Sequence, residues 1–237
     1  MAAKSDIAYE IIKEKIIKGE LQPLSDISEE ALQQELNISR TPIREAIQKL
    51  SKEGFVYIYA RKGTLVSPVN EEIIHAVYEV RLLNEPYISR SVCNVIDEKW
   101  LYDIKNRFMN CPQNLNEEER KDYYISLDTE LHGGIIKYCN NIFLKDALRI
   151  VSDHSQRIRY RTSHVNTDYE RSVKEHLEII EAFLEKNADK VEEKTRTHII
   201  MCQQDSLKYN TNMYRSIYNL IMPDIFVRPT DISDVYK

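Results

Sequence analysis

From Glu71 to about residue 210 the chain sets apolar residues at helical spacing with almost nothing to interrupt them. This property restricts the fold more than any motif does. Amphipathic helices in such a run must bury their apolar stripes against one another, as a bundle. Five glycines and seven prolines punctuate 237 residues, which suits helices joined by short connections. The pattern predicts helices over 71–96, with Pro86 as a kink point, and over 98–110, 117–139, 142–162, 169–187 and 189–210. CPQNLN (111–116), Asn140–Asn141 and SHVNT (163–167) read as the loops between successive members. Residues 213–237 hold Pro223 and Pro229 and show no clear period, although Tyr214, Ile217, Tyr218, Leu220 and Ile221 offer one more packed helix.

The first 69 residues are different. Ile7, Ile11, Ile12 and Ile16 mark a helix that Gly19 stops, and a turn follows around Pro23. Ser28 reads as the N-cap of a short helix with Glu29 and Glu30 in its first turn. Ser39 reads as the N-cap of a third helix, with Pro42 in the first turn and an apolar stripe of Ile43, Ala46, Ile47 and Leu50. Gly54 ends it. FVYIY (55–59) and TLVSPV (64–69) then form two strands around the turn Arg61-Lys62-Gly63. The expected fold is mainly α: a winged helix-turn-helix of three helices plus a β-hairpin over 1–69, an all-helical bundle over 70–212, and a tail over 213–237.

The run NISRTPIREAIQKL (37–50) places two arginines at the start of a helix in a chain of formal charge −5. That charge argues against nucleic-acid binding over the whole surface and leaves a local basic patch open. The first 69 residues hold ten basic and ten acidic residues, so all the net acidity lies beyond them. In a helix-turn-helix the N-terminal end of the second helix meets the major groove, where its free N–H groups favour phosphate. Ser39 and Thr41 offer hydroxyls to phosphate. Arg40 and Arg44, four apart, share a face from which a guanidinium reaches guanine O6 and N7. Lys62 and Gly63 sit at the tip of the hairpin, placed to lie along the adjacent groove. Taken alone, residues 37–50 fit a capped surface helix with two solvated arginines equally well; the preceding helices and the basic hairpin favour the DNA-reading alternative.

ISRTPIREAIQKLSKEGFV, preceded by YEIIKEKIIKGEL and followed by KGTLV, resembles the winged-helix domain of GntR-family transcriptional regulators over about residues 7–68. The resemblance implies DNA contacts at Arg40 and Arg44 and a wing-tip glycine at Gly63. Many members carry an arginine in the second helix where this chain has Glu30, which implies a different operator or one contact fewer.

Six histidines follow the DNA-binding stretch. Asp128 and His132 are one helical turn apart. His176 and His198 sit singly among apolar neighbours on two further helices. One carboxylate and three imidazoles suit Zn²⁺, Ni²⁺ or Mn²⁺, and three helices of a bundle can bring them together. Spacing alone favours four separate, hydrogen-bonded side chains. Residues 70–210 also resemble the FCD domain of the FadR-type branch, through RLLNEP (81–86), DTELH (128–132), Asn140–Asn141, Glu175–His176 and Thr197–His198. That resemblance implies a metal held by Asp128, His132, His176 and His198, and argues against a fatty acyl ligand. Leu131 stands where an aromatic is commoner. Members of this kind sense small organic acids, and Arg81 is the expected clamp for a carboxylate, with a surface ion pair as the plain alternative. Arg149, Arg157, Arg159 and Arg161 are further candidates to line the cavity. His75, His154 and His164 read as surface or loop residues.

The four cysteines form no knuckle or CxxC pair and read as reduced thiols of a cytoplasmic protein. No apolar run is long enough to span a membrane. The expectation is a homodimeric, ligand-responsive regulator of operator DNA. The rivals are a metal-dependent hydrolase or lyase, which would need a general base that Glu130 and Glu175 do not obviously supply, and a metal sensor.

Overall fold

The computed structural model describes residues 3–163 and 169–221, with side chains described up to position 208. The elements run α1 (Lys4–Lys18), α2 (Glu29–Leu36), α3 (Arg40–Lys52), β1 (Val56–Tyr59), β2 (Gly63–Val66), α4 (Glu71–Val92), α5 (Glu98–Met109), α6 (Glu117–Lys137), α7 (Ile142–Thr162), α8 (Tyr169–Leu184) and α9 (Ala188–Ile221). The chain is thus mainly α, with a winged helix-turn-helix followed by a helical domain. His164 lies outside the described residues.

Capping residues set the boundaries. Ser28 accepts from Ala31 N at 3.2 Å and Asn70 from Ile73 N at 3.0 Å. Asn116 and Glu119 form a reciprocal capping box, and Asn141 caps α7 through the amides of Phe143 and Leu144. Ser39 holds the N-cap position of α3, but its side chain makes no capping bond, unlike the sequence expectation. The helix starts there anyway, because Ile43, Ala46, Ile47 and Leu50 are all buried against α1. Burying three such aliphatic side chains outweighs one cap, at about 1.5–3 kcal/mol each against about 1. The hairpin pairs Val56 with Val66 and Tyr59 with Gly63. Gly63 has φ +123°, a conformation that side chains strongly disfavour. The segment after Pro23 does more than turn. Leu24 N and Ile27 N donate to Val66 and Thr64 of β2, and Asp26 forms a bridge with Leu65.

Pro86 sits inside α4 without ending it. Helix α9 runs on past position 212 to Ile221. In the helical domain α4 and α9 pack along each other, and α6, α7 and α8 close the bundle around them. Gly134 on α6 lets Trp100 of α5 come close: a Cβ there would stand 2.2 Å from Trp100 Cζ2.

One helix belongs to both halves. Along α7, Lys13 of α1 pairs with Asp153 at 3.0 Å, and Arg149 pairs with Glu53 at 3.1 Å. His154 Nε2 lies 2.8 Å from the Glu53 carbonyl, and its ring stacks on Phe55 at 4.1 Å between centroids. Arg157 donates to Ser67 Oγ at 2.8 Å. His154 is therefore buried between the domains, not a surface residue; a neutral imidazole supplies both an apolar face for Phe55 and a donor for a helix-end carbonyl. Burial is the largest cause of its lowered pKa. His75 is exposed, as expected.

Candidate metal centre and nucleic-acid interface

Three helices converge at one buried point. Asp128 and His132 come from α6, His176 from α8 and His198 from α9, and one ligand atom from each lies within 4.8 Å of every other. All four residues are buried. The three Nε2 atoms gather around Asp128 Oδ1, at 3.1 Å for His176 and 4.0 Å for both His132 and His198.

The opposite ring nitrogens explain this orientation. His132 Nδ1 is 2.7 Å from Glu85 Oε2, and His198 Nδ1 is 2.9 Å from Glu175 Oε2. A carboxylate at Nδ1 holds the proton there and leaves the Nε2 lone pair facing inward, the arrangement typical of metal-ligating histidines. His132 Nε2 is buried without a hydrogen-bond partner. An orphaned acceptor of this kind ordinarily costs about 1–3 kcal/mol. Burial, then neighbouring imidazoles, push His176 and His198 well below the usual histidine range, so both are neutral at pH 7, as ligands must be. The donor chemistry therefore fits a divalent ion. His176 also stacks on Phe108, with centroids 4.8 Å apart.

Arg81 takes a different place from the one expected. It is buried, and its guanidinium is committed to Glu85 (2.6 Å) and Ser155 (2.8 Å). The ion pair with a nearby Glu exists, but in the core. Burial pushes Glu85 up, yet Arg81 and then His132 overcome this and hold it far below the usual carboxylate range. The chain Arg81–Glu85–His132 thus orients a candidate ligand and leaves no free fork for a small acid.

A cavity of about 380 Å³ opens beside Asp128, lined also by Tyr78, Tyr124, Arg159, Arg171 and Cys202. Of the four α7 arginines proposed for such a lining, only Arg159 takes part. Arg149 and Arg157 turn to the winged helix, and Arg161 lines a separate crevice near α1. Arg159 forms an ion pair with Asp128 Oδ2. Burial, then nearby Arg81, lower its pKa to about 10.

At the other end of the molecule, Ser39, Arg40, Thr41 and Arg44 are exposed at the start of α3, and Lys62 and Gly63 are exposed at the hairpin tip. Glu29 of α2 reaches both arginines: its carboxylate accepts from Arg40 Nε at 2.8 Å and from Arg44 Nε at 2.9 and 3.0 Å. Sequence reasoning placed Glu29 only as a helix-start charge. Glu85 was visible as a partner for Arg81 through their i, i+4 spacing. Glu175 carried no usable signal, because its partner His198 is on another helix.

Residues 4–66 match the gntR family of bacterial regulatory proteins, and residues 76–200 match the FCD domain. The chain is a GntR-family transcriptional regulator with an FCD domain. Among relatives of this regulator, the HTH-type transcriptional repressor RspR of Escherichia coli K12 is 24% identical over 197 residues, 81% of this chain and 83% of that protein. The gluconate operon transcriptional repressor of Bacillus subtilis is 24% identical over 139 residues, covering 59% and 56%. Two solved structures share its fold: a GntR transcriptional regulator from Rhodococcus sp. RHA1 (TM-score 0.74, 17% identity, covering 87% and 99%) and E. coli McbR/YncC (TM-score 0.70, 15% identity, covering 90% and 100%). The family placement makes the GntR-family chain a DNA-binding regulator and not a metal-dependent hydrolase or lyase. Among the described residues no helix is long and apolar enough to cross a membrane.

Proposed function

We propose that this regulator binds operator DNA as a homodimer and responds to a small organic acid at a metal-containing pocket of its helical domain. The division is 1–69 for DNA reading and 70–212 for effector binding and dimerisation, with the chain working in the cytoplasm. Arg40 and Arg44 read base edges, Ser39 and Thr41 hold phosphate, and Lys62 and Gly63 carry the wing. One recognition helix reads few base pairs, so a two-fold pair is expected. Leu83 (71% exposed) and Tyr87 (60% exposed), one turn apart on α4, support a face that meets a second copy.

The observation that carries the reading is the set of three Nε2 atoms around Asp128, two of them aimed by carboxylates at Nδ1. Asp128, His132, His176 and His198 would hold Zn²⁺, Ni²⁺ or Mn²⁺, and the bound ion would supply a Lewis-acidic anchor for a carboxylate. Arg159, not Arg81, then offers the guanidinium to that acid from the wall of the cavity. An effector that draws Arg159 off Asp128 acts on α7, and α7 carries the contacts to the winged helix. The effector's preference between the two settings of α7 is the energy available for switching.

The test is elemental analysis of protein purified without a metal-affinity tag, on wild type and His176→Ala. About one equivalent in wild type, lost in the variant, is expected. No metal in wild type under non-chelating conditions would sink the four-residue site and leave the DNA-reading assignment standing.

A further inference from the structure

A second donor set stands beside the first. Glu175, His198 and Cys202 each present one ligand atom, all within 4.8 Å of one another. His198 Nδ1 is 2.9 Å from Glu175 Oε2. Cys202 Sγ is 3.5 Å from His198 Nε2 and 3.8 Å from Nδ1. A zinc-class ion holds nitrogen and oxygen at about 2.0–2.2 Å and thiolate sulfur at about 2.3 Å, so two of its ligands stand roughly 3–3.6 Å apart. The two distances to His198 lie near those separations already, and the Glu175 and Cys202 atoms are within 4.8 Å of each other.

Helical register produces the set. His198 and Cys202 are one turn apart on α9. Glu175 and His176 are neighbours on α8, so their side chains leave the helix about 100° apart, one towards each set. Arg171 pairs with Glu175 Oε1 at 3.4 Å, which leaves Oε2 for His198. Glu175 and Cys202 both line the 380 Å³ cavity, and that gives an entry path.

We infer that Glu175, His198 and Cys202 form a second cation site, specific for a thiophilic divalent ion and overlapping the Asp128 site at His198. A neutral imidazole has one lone pair. With the proton on Nδ1, the lone pair on Nε2 serves Asp128, His132 and His176. With the tautomer reversed, it serves Glu175 and Cys202. His198 therefore joins one set at a time, and the softness of the ion decides which. Three imidazoles and a carboxylate suit borderline ions, whereas a thiolate favours softer ones such as Cd²⁺. On binding, the Cys202 S–H bond is replaced by a metal–sulfur bond and the proton leaves to solvent. The inference rests on this geometry and is independent of the operator reading.

Cadmium alone is the probe. His176→Ala removes one donor from the first set and none from the second. Metal-free His176→Ala titrated with Cd²⁺ should develop the ultraviolet thiolate-to-cadmium absorption, saturating at one equivalent. Cys202→Ser in that background should abolish the band, although Cys93, Cys111 and Cys139 remain. Glu175→Gln should weaken Cd²⁺ binding about tenfold. Wild type should take up one equivalent in total. Absence of the band in folded His176→Ala, or its survival in Cys202→Ser, overturns the site. Two equivalents in wild type overturn the sharing of His198. If His176→Ala does not fold, wild type against Cys202→Ser gives the same comparison. Cys202→Ser leaves the first set whole, so loss of its Zn²⁺ would count against the Asp128 site and not against this one.

Discussion

Glu29 holds both arginines that the proposed function assigns to base reading, so Glu29→Gln should tighten DNA binding. To touch DNA, Arg40 and Arg44 must leave a carboxylate that each meets at 2.8–3.0 Å. Both arginines are more than half exposed, which places each pair in the surface class of about 0.2–1 kcal/mol. At about 0.5 kcal/mol per pair, two pairs per protomer and two protomers per operator, the unmaking costs about 2 kcal/mol. The amide of Gln accepts weakly and carries no charge, so most of that cost disappears and affinity should rise about 30-fold. The assay is fluorescence anisotropy at fixed salt, with a duplex selected from random sequence by the wild-type protein. Glu30→Gln is the control. It removes the same charge from the same helix, but neither arginine contacts Glu30, so only the long-range part of the gain should appear. Weaker binding by Glu29→Gln, or a gain no larger than that of Glu30→Gln, would refute the reasoning. Weaker binding would mean that Glu29 aims the guanidinium groups at the groove instead of withholding them.

Adjacent glycines on α6 should behave oppositely. Gly133→Ala meets nothing within 4 Å and should raise stability by about 0.5–1 kcal/mol, whereas Gly134→Ala strikes Trp100 and should lower it by about 1–3 kcal/mol, both read from thermal melts. Stability should also fall below about pH 6.5. The unfolded His154 takes a proton there while the buried one resists, so the unfolded state binds more protons and gains by up to about 1.36 kcal/mol per pH unit. Metal-free His154→Phe should show a shallower loss in urea melts between pH 7.5 and 5.5, and an unchanged slope would refute this. Leu83→Glu with Tyr87→Glu should turn a dimer into monomers in sedimentation and weaken operator binding; an unchanged dimer would move the interface elsewhere.

How much of this was readable beforehand follows the range of each interaction. Periodicity and caps are local, so α7 could be read from 142 to 162 and the stripe of α3 residue by residue. Asp128 and His132 were readable for the same reason, being one turn apart. His176 and His198 lie on separate helices, and spacing said nothing about their meeting; family resemblance supplied it. Nothing in spacing or resemblance linked Glu175 to His198, and Cys202 had only its one-turn spacing from that histidine. Arg81 was placed on the right helix with the wrong task, because sequence does not say which face of α4 is turned to the core. His154 was misread for a related reason: a polar residue between two domains looks like a polar residue facing water until the second domain is in place. The β2 partners at 24–27 were hidden because a single bridge needs no strand-like run.

The shared helix α7 has a consequence for anyone recombining such proteins. Arg149 at one end holds Glu53, and Arg159, ten residues or about 15 Å along, holds Asp128. A hybrid sensor cut at the short connection near residue 70 would keep every residue proposed to read DNA and every residue of the cavity. It would still separate Lys13, Glu53, Phe55 and Ser67 from the helix they pack against, and, on the proposed coupling through α7, should give a protein that binds DNA without responding to its effector. The transferable unit is the winged helix together with the outward face of α7, which places the seam for grafting along a helix surface instead of at a loop.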